Sequence, residues 1–139
     1  MAKENADIER SSSSDKSGSL RDWTDRALEG EFEYLGRMND PTASAYIKGP
    51  CGDEMEFYLI IERDTITDVK FYTDGCSYTR ECGQAAAEMA IGKGIYDALD
   101  ISPRKIMDRL GSLPPDHKHC SILAASTLQK AIADHFLKR

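Results

Sequence analysis

Apolar and polar residues alternate along three short runs in the middle of the chain. Such alternation is typical of strands that bury one face. It predicts strands at residues 44–48, 55–61 and 65–73. In the third run, the two alternating sets are Val69, Phe71 and Thr73 against Asp68, Lys70 and Tyr72. Because the connections between the runs are short, the strands are expected to form an antiparallel sheet.

After Gly75 the period of the apolar residues becomes that of a helix. The first predicted helix stops at residues 92–94, and its small and apolar face consists of Cys82, Ala85, Ala86, Met89 and Ala90. A second helix is predicted from Ser102 and Pro103, a serine N-cap followed by a first-turn proline, to near Gly111. The last helix follows the prolines at 114–115, and its apolar stripe consists of Ile122, Leu123, Leu128, Ala131, Ile132 and Phe136.

Strands that precede helices along the chain predict an α+β fold, here a three-stranded antiparallel sheet with helices packed on one face. We assign residues 20–139 to this single domain. Its first part is expected to dock on the core as a short helix, with Leu20, Trp23, Ala27 and Leu28 at helical spacing. Residues 1–19 are rich in Ser, Asp, Glu and Lys and are predicted to form a disordered tail.

The composition argues against several classes of protein. The chain has 139 residues, 40% of them hydrophobic, which suits one compact domain with a core. A net charge of -6 argues against a nucleic-acid surface, which needs an excess of lysine and arginine. No apolar stretch is long enough to span a membrane, and no secretory signal is visible. The four cysteines are therefore expected in the reducing cytoplasm, where metal or thiol chemistry is commoner than disulfides.

Three of the four cysteines lie in small polar segments that contain further metal ligands. The segments are Gly-Pro-Cys-Gly-Asp at 49–53, Asp-Gly-Cys at 74–76 and His-Lys-His-Cys at 117–120. Thiolates favour zinc and iron-sulfur clusters, and imidazole or carboxylate can complete a shell of four ligands. If these segments meet, the candidate ligands are Cys51, Asp53, Cys76, His119 and Cys120. The harder, weaker carboxylate ligand would allow such a site to release its cargo.

Two of these cysteines are expected at the beginning of helices. Cys76 is predicted where the third strand ends and a helix begins, and Cys120 at the start of the last helix. Helix N-termini stabilise anions, so a lowered thiol pKa is expected at both places. Gly52 and Gly75 each flank a cysteine. They either let the backbone approach a bulky ligand or serve only as turn residues, and the sequence leaves both roles open.

Five short segments together resemble one protein family. In order and spacing, residues 49–53, 73–76, 92–93, 113–115 and 119–124 resemble the IscU and NifU N-terminal-domain family of iron-sulfur cluster assembly scaffolds. The resemblance runs from about Gly36 to the C-terminus. It implies a three-stranded antiparallel sheet with helices on one side and three cysteines at one end.

The resemblance also implies a function and its residues. A scaffold of this kind is not an enzyme. It accepts sulfur from a cysteine desulfurase, builds a [2Fe-2S] cluster and passes the cluster to apo-proteins. The cluster-binding cysteines map onto Cys51, Cys76 and Cys120, the family aspartate onto Asp53 and the histidine onto His119. Members isolated without a cluster often hold zinc in the same pocket, which these ligand types also suit.

The chain departs from the family pattern in two places. A dedicated Hsp70-type chaperone serves scaffolds with the loop Leu-Pro-Pro-Val-Lys, but here Asp116 and His117 follow the prolines, which argues against recognition by that chaperone. Cys82 is an additional cysteine, which we assign to the core because it lies on the apolar helix face. We assign His117 to a solvated loop, with metal contact as the lesser alternative, and His135 to a structural role.

Three classes of function remain under consideration. The leading one is the cluster scaffold, and the second is a zinc-binding structural or regulatory domain. The third, a thiol redox enzyme, should carry a Cys-x-x-Cys pair, which is absent from this sequence. The sequence leaves open whether zinc or a cluster occupies the site and whether the mature cluster is [2Fe-2S] or [4Fe-4S]. It also leaves open which desulfurase and acceptors take part, and whether the chain forms a homodimer.

Overall fold

The computed structural model describes residues 32–50, 52–111 and 113–138. The tail and first helix predicted within residues 1–28 lie outside the described residues, and so does the candidate ligand Cys51. The sheet consists of β1, Ala43–Lys48, β2, Glu54–Glu62, and β3, Thr65–Tyr72. These strands pair antiparallel in the order β1-β2-β3, which confirms the predicted sheet.

A two-residue turn joins β2 to β3. Arg63 and Asp64 have φ values of 54° and 59°, so both central residues adopt the left-handed conformation of a type I′ turn. The register then shifts between Ile60 and Ile61, so that Ile61 lies opposite Ile66. With this irregularity, Ile61 and Ile66 both lie on the buried face of the sheet.

Four helices follow the sheet in the described part of the chain. They are α1, Ser77–Ala90, α2, Ile95–Ala98, α3, Pro103–Leu110, and α4, Lys118–Lys138, with a 3-10 turn at Pro115–His117 leading into α4. The positions of α1, α3 and α4 confirm the sequence predictions. The single turn of α2 was not predicted, because so short an element contains too few residues to display a helical period.

The ends of α3 follow the predicted capping chemistry. The Ser102 hydroxyl oxygen accepts a hydrogen bond from the Lys105 N–H at 3.2 Å, and Pro103 occupies the first turn. Gly111 ends the helix with φ of 94°, a conformation that favours glycine.

The helices cover one face of the sheet. α4 packs on β1 and β2, and α1 packs on β3. The buried face beneath them is apolar and includes Ala43, Met55, Phe57, Leu59, Val69 and Phe71. No helix among the described residues has both the length and the apolar character that a membrane span requires.

One glycine determines how closely α1 approaches the sheet. A Cβ atom on Gly83 would lie 2.5 Å from Cδ2 and 2.6 Å from Cε2 of the Phe71 ring. Phe71 is fully buried and its ring also contacts that of Phe57, with a centroid distance of 6.0 Å. The ring therefore has little room to move, and only glycine at position 83 allows α1 to rest directly on β3.

We predict that Gly83→Ala lowers the free energy of unfolding in urea denaturation. Overpacking a core costs about 1–3 kcal/mol, which exceeds the gain of roughly 0.5–1 kcal/mol that alanine brings to a helix. The matched control is the same substitution in a Phe71→Leu background. There the clash is relieved, so the alanine should become neutral or stabilising. Equal effects in both backgrounds would contradict the proposed contact.

Candidate functional site

Four of the five predicted ligands lie together at one end of the sheet. Asp53 directly precedes β2, and Cys76 is the N-cap residue of α1 after β3. His119 and Cys120 lie in the first turn of α4. Cys76 is exposed and Cys120 is buried, so the site extends from the surface inward. Cys51, the fifth predicted ligand, lies outside the described residues.

The two glycines beside the cysteines have different roles. Gly52 has φ of 97°, and its N–H donates to the Gly49 carbonyl at 3.0 Å, while a Cβ at position 52 would meet no atom within 4 Å. It is therefore a turn residue. By contrast, a Cβ on Gly75 would lie 3.0 Å from both Cγ and Oδ2 of Asp53. Gly75 is the one that allows a close approach, and it admits the carboxylate of Asp53.

A threonine that the sequence did not single out connects the ligands. The fully buried Thr79 donates its hydroxyl proton to Asp53 Oδ2 at 2.7 Å. Its oxygen also lies 3.5 Å from Cys76 Sγ and 3.3 Å from Cys120 Sγ. Because a threonine hydroxyl has one proton and two lone pairs, the thiols can donate to it while it donates to Asp53.

Within the part of the chain that the structure describes, the donor atoms form two overlapping groups. Cys76, His117 and Cys120 make one, and Asp53, His119 and Cys120 make the other; in each group all ligand atoms lie within 4.8 Å of one another. His119 Nε2 is 3.8 Å from Cys120 Sγ. Sulfur, imidazole nitrogen and carboxylate oxygen are the donors that zinc takes in proteins, and thiolates also hold iron-sulfur clusters, so this donor set fits either.

His117 does not lie in a solvated loop, and that assignment was wrong. The residue is half-buried, its ring stacks on Tyr78 with centroids 4.1 Å apart, and its Nδ1 is 3.9 Å from Cys76 Sγ. The 3-10 turn that begins at the second proline, Pro115, brings His117 to the N-terminus of α1. The only sequence signal for this placement was the His-x-His-Cys spacing of residues 117–120.

The Cys120 thiol is not activated as its place near the start of α4 suggested. Burial raises the pKa of Cys120 to about 11; the neighbouring Cys76 and Asp53 raise it further, and a hydrogen bond that Thr79 can donate to the thiolate form lowers it. The expected lowering at the start of α4 is therefore wrong, because burial outweighs the helix N-terminus. At neutral pH Cys120 carries a proton that a metal must displace, so binding there should strengthen as the pH rises toward 11.

Cys82 lies apart from the candidate ligands as a core residue. Its side chain is fully buried on the inner face of α1, and burial raises the pKa of its thiol. This placement matches the assignment made from its position on the apolar helix face.

Comparison with known proteins relates this geometry to one family. The family model described as the NifU-like N terminal domain matches residues 30–139. The iron-sulfur cluster assembly scaffold protein IscU 1 of Archaeoglobus fulgidus is 39% identical over 105 residues, which are 75% of this chain and 69% of the relative. The corresponding IscU of Aquifex aeolicus is 40% identical over 108 residues, or 76% and 69% of the two chains.

A solved structure shares the fold. The N-terminal part of a nitrogen-fixing NifU-like protein from Brucella abortus superposes with a TM-score of 0.62. The match covers 87% of this chain and all of the solved chain, at 19% identity. At that identity the likeness supports the fold and says nothing further about the chemistry of the site.

We predict that Thr79→Val lowers the free energy of unfolding by about 1–2 kcal/mol, because valine keeps the shape but leaves the half-buried Asp53 without its hydroxyl donor. The matched control is Thr67→Val on the exposed part of β3, where the change should stay within about 0.5 kcal/mol. Urea denaturation of the three proteins measures both effects. Equal stability of all three would contradict the connecting role of Thr79.

Proposed function

We propose that this chain, which belongs to the family of NifU-like N-terminal domains, is a scaffold for iron-sulfur cluster assembly. The observation that carries the proposal is the grouping of two thiols with imidazole and carboxylate ligands at one end of the sheet. Cys76 is exposed, so sulfur and iron can arrive there and an acceptor can reach the product. The scaffold relatives from Archaeoglobus and Aquifex support the same conclusion.

The cluster is the cargo of this site. We propose that Cys51, Cys76 and Cys120 hold a [2Fe-2S] cluster and that Asp53 or His119 supplies the remaining ligand. Thiolates provide the strong bonds, whereas the carboxylate provides a bond that is easily replaced. Asp53 is well placed for this because Gly75 admits its carboxylate and Thr79 orients it.

The proposal requires partners and a compartment. A cysteine desulfurase would supply the sulfur, and apo-proteins would receive the finished cluster. The three cysteines that the structure describes are free thiols, which the site needs for ligation. We therefore place the activity in a reducing compartment, the cytoplasm.

Zinc is the second candidate for the same ligands. The mixed sulfur, nitrogen and oxygen donors can give the four-coordinate shell that zinc prefers. We propose that the isolated apo-protein holds zinc here, and that iron and sulfide replace it during assembly. A static zinc domain would instead keep its metal and never acquire a cluster.

We predict that the chain develops sulfide-to-iron charge-transfer absorption when incubated anaerobically with ferrous iron, cysteine and a cysteine desulfurase. Each of Cys51→Ala, Cys76→Ala and Cys120→Ala removes a thiolate, so cluster affinity should fall at least about tenfold. Cys82→Ala is the matched control, because this thiol lies in the core. A wild-type protein that stays colourless while it binds zinc tightly would support the static zinc domain.

We predict that Asp53→Ala accepts a cluster but transfers it several-fold more slowly, because the exchangeable ligand is gone. Transfer to an apo-ferredoxin is followed by circular dichroism, from equal cluster loading on each protein. Asp74→Ala is the matched control, an exposed acid in the neighbouring loop. If the Asp53 and Asp74 variants both transfer at the wild-type rate, Asp53 has no role in release.

A further inference from the structure

His117 brings a second imidazole to the cysteines. We propose that His117 is a direct metal ligand, binding through Nδ1 to an ion held by the sulfurs of Cys76 and Cys120. The inference rests on the proposed function where it concerns cluster assembly. The metal–nitrogen bond itself is inferred from the positions of the described side chains.

The distances suit a shared ion. At a tetrahedral zinc ion, sulfur and nitrogen ligands lie about 3.5–3.8 Å apart, given bonds of about 2.3 and 2.0–2.1 Å. His117 Nδ1 and Cys76 Sγ are 3.9 Å apart, and both lie within 4.8 Å of Cys120 Sγ. Closing the three atoms onto one ion therefore needs shifts of about 1 Å or less.

The imidazole is held in place before any metal arrives. Tyr78, in the first turn of α1, stacks on the His117 ring with an interplanar angle of 28°. The backbone N–H of His117 donates to the Pro114 carbonyl at 2.8 Å, and this hydrogen bond fixes the 3-10 turn that carries the ring. A ring already ordered by its neighbours loses little conformational entropy when it binds, and this favours ligation.

The second ligand group gives the site an alternative way of holding metal. Cys120 belongs to both groups, whereas Asp53 and His119 belong only to the group that lacks His117. A single metal ion bound by Cys76, His117 and Cys120 would keep three protein ligands when Asp53 is released. His117 would thus help to retain a single ion at the exposed side while a fourth position is open to an exchanging ligand.

The test uses the full chain, with cobalt(II) as a spectroscopic probe and zinc for nuclear magnetic resonance. His117→Ala should weaken cobalt binding at least about tenfold, because even the loss of a residue that only hydrogen-bonds to a metal ligand has an effect of that size. The substitution should also change the ligand-field spectrum. In the zinc-loaded wild type, the nitrogen-15 shift of His117 Nδ1 should move to that of a metal-bound nitrogen. His135→Ala, which removes a histidine near the far end of α4, is the matched control and should bind as the wild type does.

Several outcomes separate this inference from the proposed function. If cobalt shows thiolate charge transfer but His117→Ala keeps wild-type affinity, spectrum and Nδ1 shift, His117 is not a ligand and the scaffold proposal is unaffected. If His135→Ala weakens binding as much as His117→Ala does, the effect is not specific and the inference fails. If the wild type binds no metal through thiolates, both proposals fail. Melting curves of the apo-proteins establish that each variant is folded.

Discussion

The contact between Gly83 and the Phe71 ring fixes the helix on which the site depends. Cys76, Thr79 and Gly83 are spaced so that they lie along one side of α1. Glycine at position 83 lets this side of α1 rest directly on β3. Thr79 and Cys76, which lie about one and two turns earlier, must therefore face the end of the sheet. The position of a thiol and of the connecting hydroxyl is therefore a consequence of core packing.

The second helix positions its ligands in a related way. Cys120, Ala124 and Leu128 recur at intervals of one turn and are all buried, so Cys120 belongs to the face of α4 that packs on the domain. His119 is displaced from Cys120 by about 100° around the helix axis, and it is half-buried. One ligand is thereby fixed in the interior and the other stays near solvent, which gives the site a buried side and an accessible side.

The strands, the three longer helices and the caps of α3 could be predicted because each has a local signal, such as alternation, helical period or Ser-Pro capping. The ligand types of three segments suggested that Asp53, His119 and Cys120 could share a site, and the resemblance to a family supplied the expectation that these segments meet. Thr79 could not be anticipated, since a threonine within a helical stretch carries no sign of what its hydroxyl will meet. The raised pKa of Cys120 also depends on burial, which the position of a residue in a helix does not reveal.

The hydrogen bonds among the ligands couple the loading of the thiols to the freedom of the carboxylate. Thr79 gives its single proton to Asp53, so Cys76 and Cys120 must donate to its oxygen, and for this they must be protonated. A metal bound to the sulfurs would displace those protons. The Thr79 hydroxyl could then donate to a thiolate only by turning away from Asp53, which would release the carboxylate from this hydrogen bond. One buried hydroxyl thus holds Asp53 in place while the thiols are empty and allows it to move once they are occupied.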